Sequence, residues 1–303
     1  MNASFDSDCE TSHTGWHPEG SRITIVRVPA PEELTDEVLI KVRCVSLNYC
    51  DTEVIMGLYG HHRSINQGKN APILCSDICG TVANVGTVNA EVLKEGDRVV
   101  SVIRFPAADR VPHLPATGLV KAPGYLTDEE AIGLPIAAVT ALMSINAFQP
   151  IGQSMTGKDK VVLSTSSSDA KLEKARELVA GHTINYKTTP GWQETVLSIT
   201  NGKGADIIFE CGGAQTLENC IGYLSGKEAA AGVNANRNVP ALARNVSLKG
   251  ISNGPKVRFE EILNTYKGKE VNPPVLDCVF GFGDAKEALK YLFSGGHFGK
   301  VVV

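Results

Sequence analysis

The chain has no run of lysine or arginine, no apolar stretch of membrane-spanning length and no C-x-x-C pair. The first absence, with a net charge of -4, removes the electrostatic reason to expect nucleic acid as a partner. The second leaves no segment able to cross a bilayer as a helix, so no membrane partner is expected. The third matters because eight cysteines are present, at 9, 44, 50, 75, 79, 211, 220 and 278. They are scattered, several inside apolar runs. Cys75 and Cys79 form the only close pair, and with no second pair or histidine beside them they read as two buried small side chains, not a zinc clip. His61 and His62 lie in a Gly-rich, charged loop and read as solvated. No metal site is expected. The opening residues, Met1 to Glu10, are polar and acidic, unlike a secretory or transit peptide, and make the cytosol the expected location.

What is present describes an ordinary soluble protein. The 303 residues are 43% hydrophobic and 20% charged, enough for two domains with separate cores. Residues 1–20, rich in Ser, Asp and Gly, read as a loose leader. From Ile23 the pattern is that of strands. Glu37 to Ser46 alternates, with Val38, Ile40, Val42 and Cys44 on one face, and Gly80–Gly86 and Gly96–Ser101 add short strands bounded by glycines. Thr127 to Glu130 is a capping-box pattern that leads into an apolar helix ending near Ala147.

After about residue 155 strand and helix alternate. Val161–Ser164 is a strand that ends in hydroxyls, Ser164 to Ser168, followed by an acidic cap at Asp169 and an amphipathic helix over 170–180. That is how the second strand of a dinucleotide-binding unit looks when it holds the 2′-phosphate of NADP, since hydroxyls and an ammonium accept a phosphate that an acidic residue would repel. A short strand over 183–186 and a helix over 192–200 follow. Ala205–Cys211 is a continuous apolar run ending in Gly212-Gly213, as in a buried parallel strand. Further elements are expected at 246–251 (strand), 259–265 and 284–293 (helices) and 300–303 (strand).

These motifs, in this order, resemble the medium-chain dehydrogenase/reductases. Ser46-Leu-Asn-Tyr-Cys-Asp51, Gly57-Leu-Tyr-Gly60, Pro72 to Val82 and Gly96-Asp-Arg-Val99 look like the family's N-terminal catalytic domain. Gly118 to Pro123 and Leu134 to Leu142 fit its bridge, and Ser166 to Glu173, His182 to Tyr186 and His297 to Val302 fit the cofactor domain and the chain end. The nearest flavour is the zinc-free quinone-oxidoreductase branch, including dehydrogenases of fungal polyketide pathways. The resemblance implies an α/β protein with a GroES-like, mostly-β catalytic domain over 21–150, completed by 256–303. It also implies a Rossmann-like, doubly wound parallel sheet over 151–255.

The same resemblance implies the site. Where zinc alcohol dehydrogenases of the family place a cysteine ligand this chain has Asn48, and where they have His-Glu it has Ser76-Asp77. Carbonyl polarisation would then fall to hydrogen-bond donors. Tyr59 is the candidate donor near the substrate, and Asn48 and Asp51 would position the nicotinamide ribose or substrate. Ser166, Ser167 and Lys171 match the NADP 2′-phosphate site, Tyr186 an adenine-side contact and Gly212-Gly213 the passage near the nicotinamide. Thr140 and Lys300 match further cofactor contacts. On residue types alone, Tyr59 is a turn aromatic, Asn48 a strand-end cap, Lys171 a solvated helix face and Gly212-Gly213 an ordinary turn. The resemblance also allows a homodimer.

The chain departs from that pattern where it is shorter. Three spans, 102–118, 151–162 and 218–224, are compressed. Between Ile151 and Val162 there is no room for a strand, a G-x-G-x-x-G turn and a helix, which together need roughly 17 residues. The phosphate loop is therefore missing and the cofactor domain is expected to be truncated. Two functions follow: an NADP-dependent, zinc-free reductase of an activated double bond, quinone or carbonyl in a small polyketide-like metabolite, or a degenerate or mis-spliced relative that at most binds.

Overall fold

The computed structural model describes residues 2–6, 22–26, 37–56, 74–87, 92–101, 113–146, 162–211, 247, 249–251, 253–269 and 273–303. The chain divides into two compact units. The first takes Met1–Met143, Pro150–Gly152 and Ser252–Val303, and the second Ser144–Gln149 and Gln153–Ile251.

In the first unit, β1 (Asn2–Asp6) and β2 (Arg22–Val26) form an antiparallel ribbon, so part of the segment expected to be a loose leader is a paired strand. A seven-stranded sheet carries most of the unit. Its strands are β3 (Glu37–Leu47), β4 (Asp77–Val85), β5 (Arg98–Ser101), β6 (His113–Pro115), β7 (Leu119–Lys121), β10 (Leu276–Val279) and β11 (Lys300–Val302). They run in the order β10-β11-β3-β4-β5-β7, with β6 also pairing β3. Only the β10–β11 pair is parallel.

β3 alternates as expected at its start, where Val38 and Ile40 are buried. The pairing with β4 then shifts between Val42 and Cys44, and Val42 turns outward, 38% exposed, while Cys44 stays inside. An extra residue in one strand resets which face each later side chain takes. That reset is what sends Ser46 inward beside the first residue of β4.

Short helices complete the unit: α1 (Tyr49–Ile55), α2 (Asp128–Ile132) and α3 (Pro135–Asn146). Thr127 and Glu130 cap α2 reciprocally, as their spacing requires. Pro135 opens α3, where a missing N–H costs nothing. Near the chain end come α6 (Lys256–Lys269), longer at both ends than its sequence pattern suggested, and α7 (Ala285–Ser294). The largest core joins Ile132, Leu134 and Val139 of the α2–α3 region to Phe259, Ile262 and Leu263 of α6. A second packs Leu47, Val54 and Ile55 against Leu289, Leu292 and Val301.

In the second unit, β8 (Leu163–Ser166) and β9 (His182–Asn185) pair in parallel, crossed by α4 (Asp169–Leu178) and followed by α5 (Trp192–Ile199). The core here is small: Ile184 and Val196, with Leu163, Trp192, Leu197 and Ile208 packed around them. Ala205–Cys211, expected to be a buried parallel strand, is not one. Among the described residues it has no ladder partner, and Ile207 and Phe209 are 46% and 54% exposed. An apolar run becomes a central strand only where neighbours supply both edges and both faces. Residues 247 and 249–251, from the strand expected over 246–251, are also outside any strand. Of the three compressed spans, 151–161 and 218–224 lie outside the described residues, as do 102–112.

Candidate active site

The site residues of the first unit gather where β3 ends, β4 begins and β11 passes. The β3–β4 register sets Ser46 opposite Asp77. Asp77 is fully buried and its carboxylate takes four donors. Oδ2 accepts from Ser46 Oγ (3.0 Å), Asn48 Nδ2 (2.9 Å) and Lys300 Nζ (3.1 Å), and Oδ1 accepts from the Ile136 amide (3.2 Å). The last bond places a negative group on an otherwise orphaned donor at the start of α3, which the helix dipole favours.

Lys300 brings an ammonium into the same space, its side chain 11% exposed. Besides Asp77 it donates to Asn48 Oδ1 at 2.7 Å. The Asn48 amide is thus committed on both sides, with Oδ1 to Lys300 and Nδ2 to Asp77 and, at 3.4 Å, to Ser76 Oγ. Asn48 does occupy the N-cap position of α1, as its residue type suggested, but its side chain points into the ion pair. Lys300, expected as a cofactor contact, is the counter-ion of Asp77 in this structure.

Asp51 supports this cluster from behind. It is completely buried, with Oδ2 accepting from the Asn48 amide (2.7 Å) and Oδ1 from the Cys75 amide (2.9 Å). Asp51, expected to position the nicotinamide ribose or substrate, has no exposed surface and braces the two segments. Burial pushes its carboxyl up to about 7, against the two amide bonds that pull it down. The Cys75 bond holds that residue at φ 76°, a left-handed turn that delivers Ser76 and Asp77 to the cluster. Burial raises the thiols of Cys50 and Cys75, so neither is a ready nucleophile. Cys79 is fully buried, as expected, and Cys75 is half-buried. Thr140 lies on α3 one turn beyond Ile136, half-buried. Tyr59, His61 and His62 fall outside the described residues.

In the second unit, Ser166, Ser167 and Lys171 come together between the end of β8 and the first turn of α4. Ser166 Oγ accepts from the Ser168 amide at 3.2 Å, and Ser168, not Asp169, caps α4 by accepting from the Lys171 amide. Ser can reach back to that amide from the extended position before the helix. Asp169, one residue inside, accepts from Asn185 Nδ2 at 2.7 Å and is tied to the end of β9. The Tyr186 amide donates to Ser166 O, which sets Tyr186 beside the serines at the carboxyl ends of both strands, its side chain 38% exposed. Hydroxyls that accept from local amides keep their own protons to donate. These serines with a lysine offer donors of the kind a phosphate monoester accepts. Gly212 and Gly213 lie outside the described residues.

Ser46 and the central role of Asp77 escaped the sequence reading. The two residues lie near the facing ends of β3 and β4, and the antiparallel pairing brings them opposite.

Residues 35–122 match the alcohol dehydrogenase GroES-like domain family and residues 154–267 the zinc-binding dehydrogenase family. A zinc-type alcohol dehydrogenase-like protein of Schizosaccharomyces pombe is 33% identical over 328 aligned positions, covering 90% of this chain and 92% of the relative. The chloroplastic quinone-oxidoreductase QR1 of Triphysaria versicolor is 25% identical over 329 positions, 92% of each. Among solved structures, mycobacterial Rv1454c complexed with NADPH superposes with a TM-score of 0.72 at 20% identity, covering 100% of this chain and 99% of that one. The chain belongs to the medium-chain dehydrogenase/reductase family and is an oxidoreductase, built from a GroES-like and a Rossmann-like domain. Both aligned spans exceed the 303 residues available here, so these relatives carry residues opposite which this chain has none.

The zinc in the family's description can be tested against the donors present. Zinc takes thiolate, imidazole or carboxylate ligands. The positions in question hold an amide, a hydroxyl and one carboxylate whose oxygens already receive four hydrogen bonds, one from an ammonium. Among the described residues no group of three His, Cys, Asp or Glu could hold a metal. This donor set does not suit zinc.

Proposed function

We propose that the protein is an NADP-dependent reductase that works without zinc, acting on an activated double bond, quinone or carbonyl of a small polyketide-like metabolite in the cytosol. The observation that supports this reading is the Asn48–Asp77–Lys300 cluster, which holds an ammonium by hydrogen bonds to Asn48 Oδ1 and the buried Asp77. NADPH, when bound, supplies the hydride. The protein's part is to hold the cofactor's extra phosphate with Ser166, Ser167 and Lys171, to stack or flank its adenine with Tyr186, and to polarise the acceptor's oxygen. The quinone and enone preference is supported by similarity to quinone oxidoreductases, and the polyketide setting by the motif resemblance.

A second reading, a binding protein without turnover, is favoured by one observation: the apolar segment around Ile207 and Phe209 is exposed where a cofactor domain would have a strand. One titration separates the two. NADPH should raise the melting temperature and be oxidised on adding duroquinone or an α,β-unsaturated ketone. Lys171→Ala should weaken NADPH binding by about 10- to 100-fold, the worth of one charge-assisted hydrogen bond, and leave NADH unaffected. Absence of any response at millimolar NADPH would leave the binding-protein reading standing alone.

A further inference from the structure

The cluster around Asp77 has the layout of a cation site that is already filled. Asn48 Oδ1 and Asp77 Oδ2 converge on one point, 2.7 and 3.1 Å from the Lys300 nitrogen. Ser76 and Asp77 are 4% and 0% exposed, so the acceptor side of the cluster is shielded from solvent. By the resemblance Asn48 stands where zinc-containing relatives place a cysteine ligand and Ser76-Asp77 where they have His-Glu, yet the oxygens of Asn48 and Asp77 are hydrogen-bonded to an ammonium. A lysine ammonium is a compact point charge with three donors. Asn48 and Asp77 take two of them. Asp51, the other anion within electrostatic reach of Lys300, is spent on backbone amides.

We infer that the Lys300 ammonium is the resident cation of this site, occupying the place of a metal ion, and that its third N–H binds the oxygen of a ligand carbonyl or enolate. Asp77 and Asn48 hold the nitrogen in position, and Asp77 cancels its charge, so the site offers a fixed donor without net charge. A donor held in a dry site acts on developing negative charge far more strongly than one in water. The identity of the ligand rests on the reductase reading, whereas the cation assignment does not.

The test is removal and chemical replacement of the ammonium. Lys300→Ala leaves a hole lined by Asn48 Oδ1 and Asp77 Oδ2, and methylammonium should restore at least half of the melting temperature lost, saturably. Lys300→Met fills the hole and should gain nothing from the amine. Wild-type protein dialysed against zinc and then buffer should hold no zinc whose retention depends on Asp77. If Lys300→Ala does not fold, Lys300→Gln serves: it keeps length and donors without charge, and should lower the turnover of duroquinone at least tenfold with NADPH affinity unchanged. A folded Lys300→Ala protein indifferent to methylammonium overturns the assignment. So does one zinc per wild-type chain that is lost in Asp77→Asn, or a Lys300→Gln enzyme within twofold of wild type. Wild-type protein inactive toward duroquinone would sink the reductase reading instead, leaving the rescue and zinc measurements to decide the cation.

Discussion

Replacing Asp77 with asparagine keeps the shape of the buried cluster and removes the charge that is hydrogen-bonded to Lys300. The asparagine oxygen can still face Ser46, Asn48 and Lys300, but its NH2 group then meets the Ile136 amide, donor against donor. The ammonium, at 11% exposure, keeps neutral acceptors alone, Asn48 Oδ1 and the introduced amide oxygen. Leaving one member of a buried ion pair uncompensated costs about 3–5 kcal/mol. Lys300→Met should cost less, because the Asp77 carboxylate left behind retains three neutral donors, and carboxylates accepting two or three hydrogen bonds tolerate burial. The double variant removes both charges and should recover much of the loss, giving a coupling of about 2 kcal/mol or more. Urea unfolding is the appropriate assay, since guanidinium would screen the pair, and midpoints at constant slope give the differences. In melting experiments each kcal/mol is about 2–4 °C for a unit of 150–250 residues. Coupling below about 0.5 kcal/mol, or a Lys300→Met loss exceeding that of Asp77→Asn, would refute the account of this cluster.

Other outcomes follow from the same geometry. The folded protein holds the Asp51 proton up to about pH 7, whereas an unfolded aspartate lets it go near 3.8. Stability is therefore greatest below pH 4 as far as this group is concerned and declines as pH rises to about 7. The decline is at most about 4 kcal/mol at about 1.4 per pH unit, and that slope in urea midpoints should vanish in Asp51→Asn. Gly80→Ala would place a Cβ 2.5 Å from Ile40 Cγ2 and from the Lys41 carbonyl oxygen, and should destabilise the first unit by about 1–3 kcal/mol in the same assay. Phe259→Ala, emptying a fully buried position in the largest core, should cost about 3–5 kcal/mol. Ile207→Ser should stay within about 0.5 kcal/mol of wild type, whereas a central strand residue would lose several times that.

Local pattern carried most of the β3, β4, α2, α4 and α5 assignments, because each is written in contiguous periodicity or a three-residue capping relation. What local pattern could not carry is revealing. The Asp77 cluster is assembled from residues 31, 29, 59 and 223 positions away in the chain, so its partners become visible only when strands pair. Val42 departs from alternation because of a register shift that no window of sequence records. Asp169 lost the cap to Ser168 because both residues are good caps and one step of φ/ψ decides between them. Asn48, Asp51 and Lys300 were singled out through motif order, but the bond between Asn48 and Lys300 and the full burial of Asp51 were not legible there.

The two places where the fold breaks its own rules differ in kind, and the difference bears on function. A buried aspartate–lysine pair adds little net stability, since the desolvation of both charges offsets their attraction, and well-packed apolar residues often do as well or better. The neighbouring core of Leu47, Val54 and Val301 shows that apolar packing was available on the same strands. A polar cluster set into such surroundings is explained by what it holds or binds, as departures from local consistency at functional sites are. The exposed Ile207 and Phe209 have no such explanation: they place apolar surface in water and no charged or hydrogen-bonding group in a new position. Chemistry is therefore to be sought at Lys300, and among the described residues of the second unit the proposed share falls to the serines and lysine at the end of β8. If that share is too weak to retain NADPH, the first unit should still bind a carbonyl ligand through Lys300, and ligand binding would then survive in a protein that turns nothing over.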